Sequence, residues 1–134
     1  MTGPTPTEPE VVGLAAEGSV DATVARLCDA ARAAGLLVFA RVDHGAGARD
    51  AGLELADEVA LLLGSPQVGT LLMQAEPRTG LDLPLRVLVR DDAGTTRVTW
   101  SDPRRLSARY AIEGVDELLE KMQAGLRHVV EGAL

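Results

Sequence analysis

Aromatic residues are almost absent from this sequence of 134 residues, which contains one Trp, one Tyr and one Phe. Proteins that bind single-stranded nucleic acid stack bases on aromatic rings, and the formal net charge of −7 repels phosphate backbones. We therefore expect no nucleic-acid partner. Aliphatic side chains and alanine must fill the core.

Cysteine, histidine and long apolar runs are also scarce. The sole cysteine, Cys28, excludes an internal disulfide and a cysteine metal cluster, and its place on an apolar helix face predicts a buried thiol. His44 and His128 are far apart in sequence, with His128 expected on the surface, so we predict no metal and no cofactor. No apolar run reaches the roughly 18 residues of a membrane span. Without a visible secretory signal, a cytoplasmic location without membrane contact is the default expectation.

The length fits one domain with one core. Residues 1–9 carry three prolines and three threonines without periodicity, which is typical of a flexible tail, and residues 10–134 are predicted to form the domain.

Hydrophobic periodicity predicts five strands and several helices. Ser19 is expected to cap a first helix that Gly35 ends, and Ser65 to cap a second one, with Val68, Leu71, Leu72 and Ala75 on its buried side. Strands are predicted at residues 10–17, 36–43, 58–63, 85–90 and 96–101, the last two forming a hairpin, and residues 45–58 as a loop with a short helical turn. A short helix to Tyr110 and a long helix from Val115 complete the chain. This order predicts an α+β, two-layer sandwich, a mainly antiparallel sheet with helices on one face.

The other face of that sheet is predicted to be basic. Strict alternation places Arg86, Arg90, Arg97 and Arg41 there, together with Leu37 and Phe39. Because apolar residues share this face, we expect a homodimer.

Several motifs in order, from Val11 to Tyr110, resemble the DUF302 family of uncharacterised bacterial and archaeal domains. The matching segments are Asp21-x-Thr23-x-x-Arg26-Leu27, Val38-Phe39-Ala40-Arg41-Val42-Asp43-His44, Gly52-Leu53-x-Leu55, Gly64-Ser65-Pro66-x-x-Gly69-Thr70-Leu71-Leu72-Met73-Gln74, Leu81-Asp82-Leu83-Pro84-Leu85, Asp102-Pro103 and Arg109-Tyr110. The resemblance implies a TBP-like fold and a homodimer, without an established activity. Ser65 and Ser101 stand where the family usually has Asn.

The strand that ends at Asp43 and His44 carries the sharpest candidate chemistry. An imidazole exchanges protons near neutral pH, and Asp43 is placed to orient it at a glycine-rich turn. The alternative is that His44 and Asp43 only fix this turn through hydrogen bonds.

Two further places could bind an anion. Ser65 begins a helix whose free N–H groups favour negative charge, although an ordinary cap is the better explanation for this serine. Pro66 after it argues against a nucleophile. Arg109 and Tyr110 follow Asp102 closely, and Arg109 either pairs with Asp102 or holds a ligand carboxylate or phosphate.

From these residues we predict a homodimeric domain that binds a small ligand, which could be anionic, or a partner. The predicted binding residues are His44, Ser65, Thr70, Met73, Arg109 and Tyr110. The alternative is an enzyme with His44 as general acid or base, Asp43 orienting it and Arg109 holding a small anionic substrate. A purely structural or assembly module is the third reading.

Overall fold

The computed structural model describes residues 11–134, so the predicted tail at residues 1–9 lies outside the described residues. The strands form one five-stranded sheet of order β1-β5-β4-β3-β2, and each of the four pairings among them is antiparallel. This confirms the predicted α+β class. The strands are β1 (Val11–Ala16), β2 (Leu37–Asp43), β3 (Glu58–Gly64), β4 (Leu85–Asp92) and β5 (Thr95–Ser101). The α-helices are α1 (Val20–Ala33), α2 (His44–Asp50), α3 (Pro66–Ala75), α4 (Leu106–Tyr110) and α5 (Asp116–Gly132), with 3₁₀ turns at Pro77–Asp82 and Pro103–Arg105.

Helix α1 connects the two edge strands of the sheet. The Ser19 hydroxyl accepts a hydrogen bond from the Ala22 N–H at 3.1 Å, and Gly35 follows the helix with a φ of +80°, so both predicted ends are confirmed. Since β1 and β2 lie at opposite edges, α1 crosses the whole sheet. It packs its apolar stripe, Val20, Val24, Leu27 and Ala31, against the inner strands.

A β-bulge in β2 makes the predicted alternation of that strand wrong. Val38 pairs with Leu63, but Ala40 pairs with Leu62, so one residue, Phe39, is inserted into the ladder. Beyond the bulge the side chains exchange faces. Arg41 therefore lies on the helix-covered face, where its guanidinium is 3.5 Å from the Asp21 carboxylate.

The face without α1 and α5, here called the open face, is consequently less basic than predicted. Val42 pairs with Ala60 on this face and is 43% exposed. Arg90 and Arg97 both form ion pairs with Asp92, at 3.5 and 2.8 Å. The open face therefore combines the charges of Arg86, Arg90 and Arg97 on β4 and β5 with apolar side chains on β2 and β3.

The core lies between the helix-covered face and the helices α1 and α5. Trp100 is 2% exposed, and its indole N–H donates to the Gln123 side-chain oxygen of α5 at 3.2 Å. Cys28 is partly buried against this core. A second, smaller cluster joins α3, α4 and α5 at one end of the sheet through Leu72, Leu106, Tyr110, Val115, Leu119 and Met122.

Two helical predictions need correction. Leu72 is buried, but Leu71 is 55% exposed and Ala75 is also exposed, because only a narrow face of α3 packs against the rest of the domain. Residues 44–50 form helix α2, whereas residues 45–58 were predicted as a loop with only a short helical turn, because Asp43 caps a helix that starts at His44.

Candidate functional site

A cavity of about 480 Å³ opens at the end of the sheet where β2 and β4 begin and β3 ends. Helix α3 and the loop after it form one wall, and α5 forms the other. The lining residues are Ala34, Leu36, Phe39, Leu63, Gly64, Ser65, Pro66, Val68, Gly69, Thr70, Met73, Gly80, Leu83, Pro84, Leu85, Leu118, Lys121, Met122, Gly125, Leu126 and His128. A volume in this range, between roughly 300 and 1,000 Å³, is typical of small-molecule sites.

The wall is largely apolar, and its two hydroxyl groups each bond to the backbone. Ser65 accepts a hydrogen bond from the Val68 N–H at 3.3 Å, as the predicted helix cap requires. The Thr70 hydroxyl donates to the Pro66 carbonyl at 2.6 Å. A ligand in the cavity would therefore meet mainly carbon and the sulfur of Met73.

Four glycines line the cavity. A Cβ on Gly64 would lie 3.5 Å from the Phe39 ring, and one on Gly80 would lie 3.4 Å from the Met73 sulfur. Gly69 faces Leu83 at 3.6 Å. A Cβ on Gly125, in the middle of α5, would meet no heavy atom within 4 Å, so its place is open space.

Two nitrogen-bearing side chains, Lys121 and His128, flank Gly125 on the exposed part of α5. His128 was predicted to be on the surface, and it is exposed, but its contribution to a cavity wall was missed. Helical periodicity places four residues on one side of α5, namely Leu118, Lys121, Gly125 and His128. This spacing is the sequence pattern that could have indicated a shared wall.

The structure brings only part of the predicted binding set together. Ser65, Thr70 and Met73 line the cavity. His44 is exposed at the far end of β2, about 20 Å from the beginning of that strand at roughly 3.3 Å per residue. The Asp43 carboxylate accepts a hydrogen bond from the Ala46 N–H at 2.8 Å, so it caps α2.

Arg109 and Tyr110 lie beside the cavity, around a carboxylate that sequence reasoning missed. The Tyr110 hydroxyl donates to Asp82 at 2.5 Å, and the Arg109 guanidinium is 3.0 Å from the same Asp82 oxygen. Arg78 and Arg109 each lie over the Tyr110 ring, 5.5 Å from its centroid. Asp102 instead binds Arg104, at 2.6 Å, so the predicted pairing of Asp102 with Arg109 is wrong.

Asp82 is held as an anion by these neighbours. Its partial burial raises the pKa of the carboxyl, but the Tyr110 hydrogen bond and the charges of Arg105 and Arg109 outweigh burial and lower it below its ordinary value. The Asp82 cluster, meaning Asp82, Arg105, Arg109 and Tyr110, thus binds the turn Pro77–Asp82 to α4. Arg109 already has a carboxylate partner within this cluster.

The structure does not bring together the three residues of the predicted acid–base enzyme, His44, Asp43 and Arg109. Asp43 is a helix cap, Arg109 pairs with Asp82, and β2 separates His44 from the cavity. Within residues 11–134, no group of three His, Cys, Asp or Glu side chains could hold a metal ion. Among the helices of the same residues, none has both the length and the apolar character needed to cross a membrane.

The fold and the cavity define an α+β domain with a covered sheet face and an apolar site at one sheet end. The chain belongs to the DUF302 family, whose model, described as a domain of unknown function, matches residues 12–129. The crystal structure of an uncharacterized conserved DUF302 protein from Bacillus stearothermophilus is similar, with a TM-score of 0.87 at 17% identity, over 93% of this chain and 98% of that one.

Curated relatives are much longer than the matched region. The chain is 44% identical over 95 residues to the fluoride-specific ion channel FluC 1 of Brucella suis biovar 1, covering 70% of this chain and 37% of the relative. The fluoride-specific ion channels FluC 1 of Brucella abortus biovar 1 and FluC 2 of Brucella melitensis biotype 1 match equally well, with 35% of their length covered. The chain thus spans little more than a third of these relatives.

Proposed function

We propose that this DUF302 domain binds a small, mainly apolar molecule in the cavity between α3 and α5. The observation that carries the proposal is the cavity itself, about 480 Å³ of space with an apolar wall. Well-packed interiors leave few voids larger than a water molecule, so an apolar cavity of this size favours a binding role. The predicted residues Ser65, Thr70 and Met73 contribute to this site.

The proposal can be tested by filling the cavity with a larger side chain at position 125. In Gly125→Leu the new side chain would extend into the open space beside α5. Ala124→Leu, at the exposed neighbouring position, is the matched control. We expect wild type and Ala124→Leu to bind anilinonaphthalenesulfonate and to be stabilised by members of a panel of apolar acids and alcohols, and Gly125→Leu to lose both responses.

Gly125→Leu should melt no lower than wild type, since leucine favours a helix more than glycine does. Ala124→Leu should melt close to wild type, since the helix propensity of leucine is only slightly below that of alanine. Equal dye binding by Gly125→Leu and wild type would reject the cavity as the site. So would a panel in which no compound raises the melting midpoint of the wild type.

We also propose that the domain forms a homodimer through the open face. Val42 and Leu37 are 43% and 50% exposed at one side of this face, next to the partly buried Leu62. Apolar side chains grouped on a sheet face favour association. Light scattering should give twice the monomer mass for wild type and for Leu81→Glu, whose exposed leucine lies off the sheet, and a monomer for Val42→Glu. A monomeric wild type at high concentration would reject the dimer.

A second candidate function follows from the curated relatives, namely that this domain binds a fluoride channel as a partner protein. The support is the 44% identity to parts of proteins named fluoride-specific ion channels. Co-expression of the tagged chain with a fluoride channel from the same genome should give co-elution in mild detergent. If the channel elutes alone and cellular fluoride resistance does not depend on this chain, the candidate fails.

A further inference from the structure

We propose that the ligand of the cavity is a straight-chain aliphatic carboxylate, with its chain between α3 and α5 and its carboxylate over Gly125, between Lys121 and His128. This inference rests on the proposed binding function and names the chemical class of ligand for the same site. It depends on the chemistry of the cavity wall and on the placement of charge at its rim.

The wall suits a flexible aliphatic chain better than a planar ring system. Of the described residues that line the cavity, Phe39 is the only Phe, Tyr or Trp, whereas sites for planar ligands usually offer several such rings for stacking. Met73 and Met122 are unbranched and polarizable, so they can adapt to a chain with many conformations. Ser65 and Thr70 carry the hydroxyl groups among the described lining residues, and each already makes one hydrogen bond to the backbone, so polar atoms along the ligand would meet few partners.

The charged end of such a ligand has one suitable place. The N-terminus of α3 is poorly suited, because Pro66 has no N–H and Ser65 already bonds the Val68 N–H. On α5, Lys121 and His128 are seven residues apart, about 10 Å along the helix, and Gly125 lies between them without a side chain. A carboxylate over Gly125 would therefore have a nitrogen-bearing side chain on either side of it.

Lys121 is available to a ligand because its ion pair with Glu117 is weak. Its ammonium group is 3.8 Å from the Glu117 carboxylate, and both side chains are largely exposed. An exposed pair of this kind contributes little to stability, so exchanging Glu117 for a ligand carboxylate costs little. A phosphate or phosphoryl group is disfavoured, since no arginine is among the described residues lining the cavity.

Calorimetric titration of the full chain with decanoate and with decanol separates the two parts of the inference. We expect decanoate to bind more tightly than decanol, and shorter carboxylates to bind less tightly than decanoate. Lys121→Met and His128→Leu should each weaken decanoate binding by about five-fold and leave decanol binding unchanged. Arg127→Gln, a neutralised cation on the same helix that does not line the cavity, should leave both affinities unchanged.

The outcomes distinguish this inference from the proposed function on which it rests. If decanol and decanoate bind equally, and Lys121→Met affects neither, the carboxylate assignment is wrong, while loss of binding in Gly125→Leu would still support the cavity as a site. If neither compound binds and the dye response of Gly125→Leu equals that of wild type, both proposals fail. Circular dichroism melting of each variant confirms that a loss of binding does not reflect unfolding.

Discussion

The hydroxyl of Tyr110 donates a hydrogen bond to the carboxylate of Asp82, joining the end of α4 to the turn after α3. This turn carries Gly80 and precedes Leu83 and Pro84, which all line the cavity. The Asp82 cluster therefore holds one wall of the cavity in place. Asp82, Arg109 and Tyr110 stand within matched family motifs but act on the protein's own structure.

Replacing Asp82 by Asn should destabilise the protein by about 1–3 kcal/mol, because hydrogen bonds to a charged group are lost beside Arg105 and Arg109. Tyr110→Phe should cost about 1 kcal/mol. Urea unfolding at neutral pH measures both values. A change below the error of the fit for both variants would show that the cluster does not hold the turn.

The same carboxylate predicts an acid-dependent loss of stability. The pKa of Asp82 is lower in the folded protein than its ordinary value of 3.8, so its contribution is complete above that value and is lost as pH falls through the folded pKa. The difference in unfolding free energy between wild type and Asp82→Asn should be constant from about pH 7 to about pH 5 and shrink below pH 3.8. A difference that stays constant in acid would contradict the assignment.

The buried hydrogen bond between Trp100 and Gln123 supports a third prediction. Gln123→Leu would leave the indole N–H without its acceptor in the core, at a cost of about 1–3 kcal/mol. Since Trp100 is the sole tryptophan, its fluorescence reports unfolding directly. Gln74→Leu, on the exposed side of α3, is the control and should change stability by less than about 0.5 kcal/mol. Equal stability of the two variants would show that Gln123 is not needed by the core.

The fold was largely predictable because its periodic segments are long and its turn residues are specific. Ser19, Gly35 and Ser65 act at helix ends as their chemistry requires. The bulge at Phe39 was not predictable, because nothing in the residue types of Leu37 to Ala40 distinguishes an inserted residue from regular alternation. One such residue reversed the faces of Arg41 and Val42.

The candidate site was less predictable, because it forms between segments far apart in sequence. The cavity needs the start of β2, the end of β3 and the middle of α5, and periodicity within one element cannot place these together. Asp82 and Arg109 are likewise distant in sequence, and their ion pair forms only in the folded chain. His44, which stood out as an imidazole inside a motif, lies at the opposite end of the sheet.

Substitutions of the two neighbouring leucines of α3 test which face of that helix is buried. Leu72 is fully buried in the smaller apolar cluster, so Leu72→Ala should cost about 2–5 kcal/mol. Leu71 is 55% exposed, and Leu71→Ala should change stability by less than about 0.5 kcal/mol. Chemical unfolding of the two variants side by side gives the comparison. A loss for Leu71→Ala as large as that for Leu72→Ala would support the broader buried face expected from the sequence.

The hairpin between β4 and β5 offers a stabilising change. Ala93 and Gly94 form its two-residue loop with φ angles of +50° and +95°, and the Asp91 carboxylate accepts a hydrogen bond from the Gly94 N–H at 2.8 Å. Positive φ is unfavourable for alanine but better tolerated by asparagine, which is typical before glycine in such loops. Ala93→Asn should therefore raise the free energy of unfolding by roughly 0.5–1 kcal/mol and the melting midpoint by a few degrees. Ala124→Asn, in a helix, should lower both slightly. If Ala93→Asn melts below wild type, the loop does not require a left-handed residue at this position.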